Sequence, residues 1–188
     1  MLASAELTVH GRIVNASNWT TLVQVGDPAG GVLGVYKPMA GERPLWDFPT
    51  GTLHRREVAA SVVDGFLGWD LVPPTVRRNG PLGVGSLQLF IAHDPRDHYF
   101  TLVERDVYDR ELARMAAFDL LINNADRKAG HVLLDGDGHI WGCDHGLSFH
   151  PQVKVRTVVW EFGGMPLPDA WCADLRRLQA ALDDPSSR

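Results

Sequence analysis

The run DLLINNADRKAGHVLLDGDGHIWGCDHGLSF, residues 119–149, opens on the end of a helix, crosses an irregular polar loop and closes on a hairpin. The loop is NNADRKAGH, 123–131. HVLL at 131–134 and HIWGCD at 139–144 are composed to pair as strands across the DGDG turn. That pairing brings Asp126, in the loop, and Asp144, after the second strand, to the same end of one hairpin. Two carboxylates beside an irregular loop suit phosphoryl transfer: one orients or deprotonates an attacking hydroxyl, and the other holds a metal that neutralises a polyphosphate. Such a site also needs a lysine on the phosphates. Taken singly, either aspartate is more often a turn residue or a cap.

Upstream, the texture is that of a β-meander. LTVHGRIV (7–14), WTTLVQV (19–25) and GGVLGVYK (30–37) read as strands, separated by the turn-prone NASN and GDPAGG. HRREVAASVVDGFLG (54–68) then has helical spacing, with Val58, Ala59, Val62, Val63, Phe66 and Leu67 as its apolar stripe, Thr52 as a cap and Gly68 as a stop. LVPPTV breaks that helix, and VGSLQLFI (84–91) reads as another strand leading into the loop AHDPRDH. A second helix is expected over 106–122, with Leu112, Met115, Ala116 and Leu121 facing a core. The tail after Asp144 has room for two or so helices. The expectation is therefore an α+β chain of two lobes within one domain: a small antiparallel sheet with one helix over residues 1–90, and a reduced, mainly helical part over 91–188, meeting near Phe90.

Strand alternation puts Lys37 on the same face as Leu33 and Val35, which is expected to be the inner one. An ammonium there needs a partner, and Glu57 on the following helix is placed to reach it and hold it against phosphates. Spacing alone leaves open that Lys37 ends its strand at Pro38 and snorkels into water while Glu57 is solvated.

The chain has 188 residues, 45% of them hydrophobic, enough for one compact domain or two small lobes. A net charge of −5 argues against a nucleic-acid-coating protein, and no basic cluster suited to an anionic membrane is visible. With no apolar run long enough to span a bilayer and no secretory leader at MLASAELTVHGRIV, a cytoplasmic protein without stable membrane insertion is expected. Two cysteines, Cys143 and Cys172, are too few for a disulfide framework and read as unpaired core thiols. His131, His139, Cys143, His145 and His150 crowd one stretch, but they lack the twice-repeated close pairs of a structural zinc site. Trp141 and Trp160 read as core residues rather than as stacking platforms for nucleic-acid bases.

Several blocks in one order carry a resemblance: GVYKP around Lys37, REVAASVVDGFLGWDLVPPT around Glu57, VGSLQLF, FDLLINNADRKAGHVLL and CDHGLSFHP. Together they resemble the phosphatidylinositol 3- and 4-kinase-like branch of the protein-kinase fold, most of all the type II phosphatidylinositol 4-kinases, in a small bacterial-type form. The resemblance implies a two-lobed kinase-like fold and use of ATP with magnesium or manganese. It implies that Lys37 contacts the α- and β-phosphates, that Glu57 pairs with it, and that Gln88, Leu89, Phe90 and Ile91 offer backbone partners to adenine. Asp126 becomes the catalytic-loop aspartate, with Lys128 neutralising the transferring phosphoryl group, and Asp144 the metal-binding aspartate in the place of the kinase DFG motif. The turn NASNW replaces the glycine-rich loop, with Ser17 and Asn18 closing on the phosphates through backbone donors.

One position departs from that pattern. Five residues after Asp126 the family carries a metal-binding asparagine, and here His131 stands there. Imidazole suits manganese or softer ions better than magnesium, so His131 is either a metal ligand or a donor behind the ligands. The lipidated cysteine-rich insertion of type II lipid kinases has no counterpart between Pro74 and Val84. The expected acceptor is accordingly a hydroxyl of a small molecule or a protein rather than of a lipid. A nucleotide-binding pseudokinase, or an AMP-transferring relative acting on a protein partner, is the alternative.

Overall fold

Residues 1–13 and 18–184 are described by the computed structural model. β-Branched and aromatic residues build three consecutive antiparallel strands, β1 (Leu7–Arg12), β2 (Thr21–Val25) and β3 (Val32–Pro38). After helix α1 (Leu53–Leu67) the chain forms β4 (Thr75–Gly80) and β5 (Gly83–Leu89). β5 inserts beside β3, giving the order β1-β2-β3-β5-β4 with every pair antiparallel. β4 is absent from the sequence expectation, because Arg77, Arg78 and Asn79 disguise its alternation. The tight turn between Gly80 and Gly83, with Gly83 at φ 94°, folds it back onto β5.

On β3, Gly34, Tyr36 and Pro38 are buried while Leu33, Val35 and Lys37 are half-buried. Tyr36 joins Val23, Val25 and Leu87 in a cluster closed by Leu2 and Ala5 from the N-terminal segment. Lys37 therefore lies on the same face as Leu33 and Val35, as alternation requires, but that face looks into a cleft and not into the sheet's own core.

Helix α1 buries only part of the stripe its apolar residues suggest: Leu67 is in the core and Val63 packs against it. Val62 and Phe66 are 65% and 41% exposed, and the buried positions are Leu53, His54, Glu57, Ala60, Asp64 and Leu67. Thr52 supplies no side-chain cap. The carboxylate of Glu42 accepts from the amides of Leu53 and His54, at 3.1 and 2.8 Å, in its stead. At the other end Gly68, at φ 70°, terminates the helix as expected and donates to Asp64 O.

The second part holds α2 (Tyr99–Leu102), a 3-10 turn at Asp106–Tyr108, α3 (Asp109–Leu121), the hairpin β6 (Val132–Leu134) with β7 (Ile140–Gly142), and α4 (Asp169–Asp183). Among the described residues α4 is the one helix after Asp144, where two were expected. Leu112, Met115 and Phe118 form the inner face of α3, and Leu121 is 39% exposed because the helical period carries burial on to Ile122. Their core includes Tyr99, Leu102, Val132, Ile140, Trp171 and Leu178, together with Ala60, Leu67, Trp69, Leu71 and Val72 from α1 and the segment after it. The helix of the sheet half thus packs on the helical half. Gly142 permits a close approach there, since a Cβ would lie 2.8 Å from Met115 Sδ. Trp141 is half-buried and donates to Asp135, whereas Trp160 is 61% exposed and is no core residue. Among the described residues no helix is long and apolar enough to cross a membrane. The architecture is α+β, a small two-lobed kinase-like fold.

Candidate active site

Lys37 projects from β3 toward α1, where its Nζ forms an ion pair with Glu57 and lies 2.8 Å from Asp144 Oδ1. The other oxygen of Glu57 accepts the amide of His145 at 2.9 Å. One carboxylate on α1 thus holds a sheet lysine and the backbone just after β7. Asp144 itself adopts φ 60°, a left-handed conformation in a non-glycine residue that its surroundings must hold in place. Its side chain is 45% exposed, and Asp126, Asp144, Lys37 and Glu57 line one cavity of about 280 Å³. The sheet lysine and both aspartates do share a crevice.

Charge coupling sets their protonation. The Lys37 ammonium, against the effect of burial, holds the Asp144 carboxyl well below the usual carboxylate range. Burial disfavours the ammonium, but Asp144 and Glu57 together outweigh it and hold Lys37 above the ordinary lysine value. Burial pushes the Glu57 carboxyl up while Lys37 pulls it down. Burial also lowers His131, which is neutral at neutral pH. The Lys128 amide donates to His131 Nδ1 at 3.4 Å, which assigns the ring proton to Nε2, 3.3 Å from Asp144 Oδ2. His131 is therefore placed as a donor to Asp144.

Asp126 sits beside Lys128, whose Nζ is 2.8 Å away. Its amide donates to Asn124 Oδ1, and Asn124 Nδ2 donates to Asp119. Asp119 is bonded by the guanidinium of Arg127, and both side chains are fully buried. Arg127 also donates to the carbonyls of His131 and Cys143 and to His145 Nε2. Burial, reinforced by that guanidinium, drives His145 well below the ordinary imidazole value, so the ring is neutral with its proton on Nδ1. The sequence expectation gives no positioning part to Asp119, Asn124, Arg127, His145 or Glu42, which fix the two aspartates and α1. A carboxylate on the apolar stripe of α3, eight residues before an arginine, was the available signal.

The stretch expected to meet adenine has fewer free backbone groups than expected. Gln88 is buried in β5 and its side chain donates to Thr75 Oγ1 at 2.8 Å. The amides of Leu89 and Phe90 are taken by Pro74 O and Leu33 O. Among the described residues the Ile91 amide has no partner, and none of Gln88, Leu89, Phe90 and Ile91 lines the cavity. Ser17 lies outside the described residues. Asn18 lines the cavity, and its Oδ1 accepts the Arg43 amide at 3.0 Å.

No group of three or more His, Cys, Asp or Glu side chains gathers at cation-binding spacing among the described residues. Magnesium bound largely through phosphate oxygens and water needs only one or two protein carboxylates, and the exposed, ionised Asp144 fits that demand. The remaining candidates are engaged separately: His139 with Asp70 O, His150 with Asp47 O, and Cys143 as a thiol that burial pushes up to about 12.

The profile of the phosphatidylinositol 3- and 4-kinases matches residues 67–170. The chain belongs to that family. The match includes Ile91, Asp126, Lys128, His131 and Asp144 but begins after Lys37 and Glu57. Protein Rv2133c of Mycobacterium tuberculosis is 43% identical over 98% of this chain and 78% of its own length. Phosphatidylinositol 4-kinase gamma 4 of Oryza sativa subsp. japonica is 32% identical over 56% of this chain and 22% of the plant protein. This phosphatidylinositol 3- and 4-kinase family chain thus aligns with only a small part of the rice enzyme.

Proposed function

We propose that the chain transfers the γ-phosphoryl group of ATP to a hydroxyl of a small molecule or a protein side chain. The observation that carries this reading is the cavity in which Lys37, Asp126 and Asp144 meet. Lys37, held by Glu57, is the cation for the α- and β-phosphates, and the Ile91 amide is the donor for adenine. Asp126 receives the proton of the acceptor hydroxyl as its oxygen bonds to phosphorus, the bond to the β-phosphate oxygen breaks and ADP leaves. Lys128 stands beside it to balance the charge of the transferring group. Bound magnesium or manganese supplies neutralisation of the triphosphate, with Asp144 as its protein ligand and His131 orienting that carboxylate from behind.

The test is ATP turnover with each metal, with Asp126→Ala as the diagnostic variant. Turnover should fall by at least about 100-fold, while ATP still raises the melting temperature. Parent-like hydrolysis by Asp126→Ala overturns the assignment. Release of pyrophosphate in place of ADP indicates adenylyl transfer.

A further inference from the structure

Among the described residues, one charged side chain that lines the cavity has no partner. Lys37, Glu57 and Asp144 hold one another, Asp126 is paired with Lys128, and Glu42 with His54. Arg43 lines the same cavity, and among the described residues its guanidinium has neither an ion pair nor a hydrogen bond. An unpaired, always-charged fork on the wall of a polyphosphate-sized cavity is suited to an oxyanion.

Its backbone is held on both sides. The preceding residue, Glu42, is anchored by the amides of Leu53 and His54 and by His54 Nδ1 at 2.7 Å. The Arg43 amide is bonded to Asn18, and the Trp19 amide to Gly41 O at 3.0 Å. Gly41 makes that seam possible, because a Cβ there would lie 2.4 Å from Trp19 Cβ. The connector between β3 and α1 is thereby laced to Asn18 and Trp19, and Asn18 lines the cavity beside Glu42 and Arg43. Such a position is preorganised while its side chain stays free.

We infer that Arg43 binds a phosphoryl oxyanion beyond the reach of Lys37, either the terminal phosphate of the nucleotide or a phosphate on the acceptor. The inference rests on the ATP reading given above and adds a recognition residue to it. Calorimetry on the parent, Arg43→Ala and Arg43→Lys tests it with three probes: magnesium ADP, a magnesium-bound non-hydrolysable ATP analogue, and inorganic phosphate added to the ADP-loaded protein.

If the nucleotide supplies the oxyanion, Arg43→Ala weakens the analogue roughly ten-fold or more and leaves ADP unchanged. If the acceptor supplies it, both nucleotides bind as before and phosphate binding to the ADP complex is lost. In either case Arg43→Lys restores part of the affinity. Equal losses for ADP and the analogue, or no change with any probe, overturn the inference. A parent protein that binds neither nucleotide overturns the ATP reading instead. Inorganic tripolyphosphate is then the probe: weaker binding by Arg43→Ala supports the role of Arg43, and equal binding overturns it.

Discussion

Arg127 is the side chain on which the loop between α3 and β6 depends. Its guanidinium is fully buried and spends its donors on Asp119, on the carbonyls of His131 and Cys143, and on His145. Replacing it with methionine keeps volume but strands the Asp119 carboxylate without a cation. Arg127→Met should lose about 3 to 5 kcal/mol of stability in urea unfolding, and adding Asp119→Asn should recover part of that loss. A single variant within about 1 kcal/mol of the parent would show that the network does not hold the loop. Lys37, Glu57, Asp126 and Asp144, four of the charged residues that meet in the cavity, were legible from strand alternation, helix spacing, the hairpin and the resemblance of the blocks around them. Arg127 was not, since directly after a candidate catalytic aspartate it passes for one more loop charge. The conflict lay earlier, in an aspartate at the helical spacing of Leu112 and Met115.

Helix α1 shows why an apolar stripe can mislead. Val58, Val62 and Phe66 look like a core face, yet the inward stripe runs through Leu53, Glu57, Ala60, Asp64 and Leu67, two of them carboxylates. Each carboxylate has a partner that offsets part of its desolvation: Glu57 binds Lys37, and Asp64 Oδ2 accepts the amides of Leu71 and Val72 at 3.0 and 2.9 Å. Burial raises the Asp64 carboxyl to about 6, although those amides pull it down. Its folded value thus lies above that of the unfolded chain, so between about pH 4 and 6 the unfolded chain releases this proton first. The Asp64 contribution to stability is fully present below about pH 4, falls as pH rises and stays reduced above 6, by about 3 kcal/mol at most. Relative to the parent, Asp64→Asn should gain stability across that window, measured by chemical denaturation at stepped pH. A difference that does not vary with pH would give Asp64 an ordinary carboxylate pKa.

At the scale of the molecule, the order of elements was legible while the way the halves join was not. Apart from β4, the strands, both principal helices and the hairpin follow from periodicity and turn residues. The joint arises from contacts between residues far apart in sequence, such as the Lys154–Asp47 pair at 2.8 Å, the Arg56 bond to Ser148 O, and the small cluster of Phe48, Leu53 and Ala125. Glu57 is the most consequential of these, for it binds Lys37 of the sheet half and the His145 amide of the other half at once. Removing its carboxylate in Glu57→Ala leaves a buried amide without an acceptor and a lysine held by Asp144 alone. Hydrogen exchange should therefore speed up at His145, while the Cys143 amide, bonded to His131 O at 2.9 Å within the same hairpin, keeps its protection. Nucleotide-dependent stabilisation should fall in the same variant, since Lys37 is no longer positioned by both carboxylates. Unchanged exchange at His145 would mean that the halves are held by the clamp around Asp47 and Phe48 without help from Glu57. Faster exchange at both amides would report a loosened hairpin rather than a lost bolt between the halves.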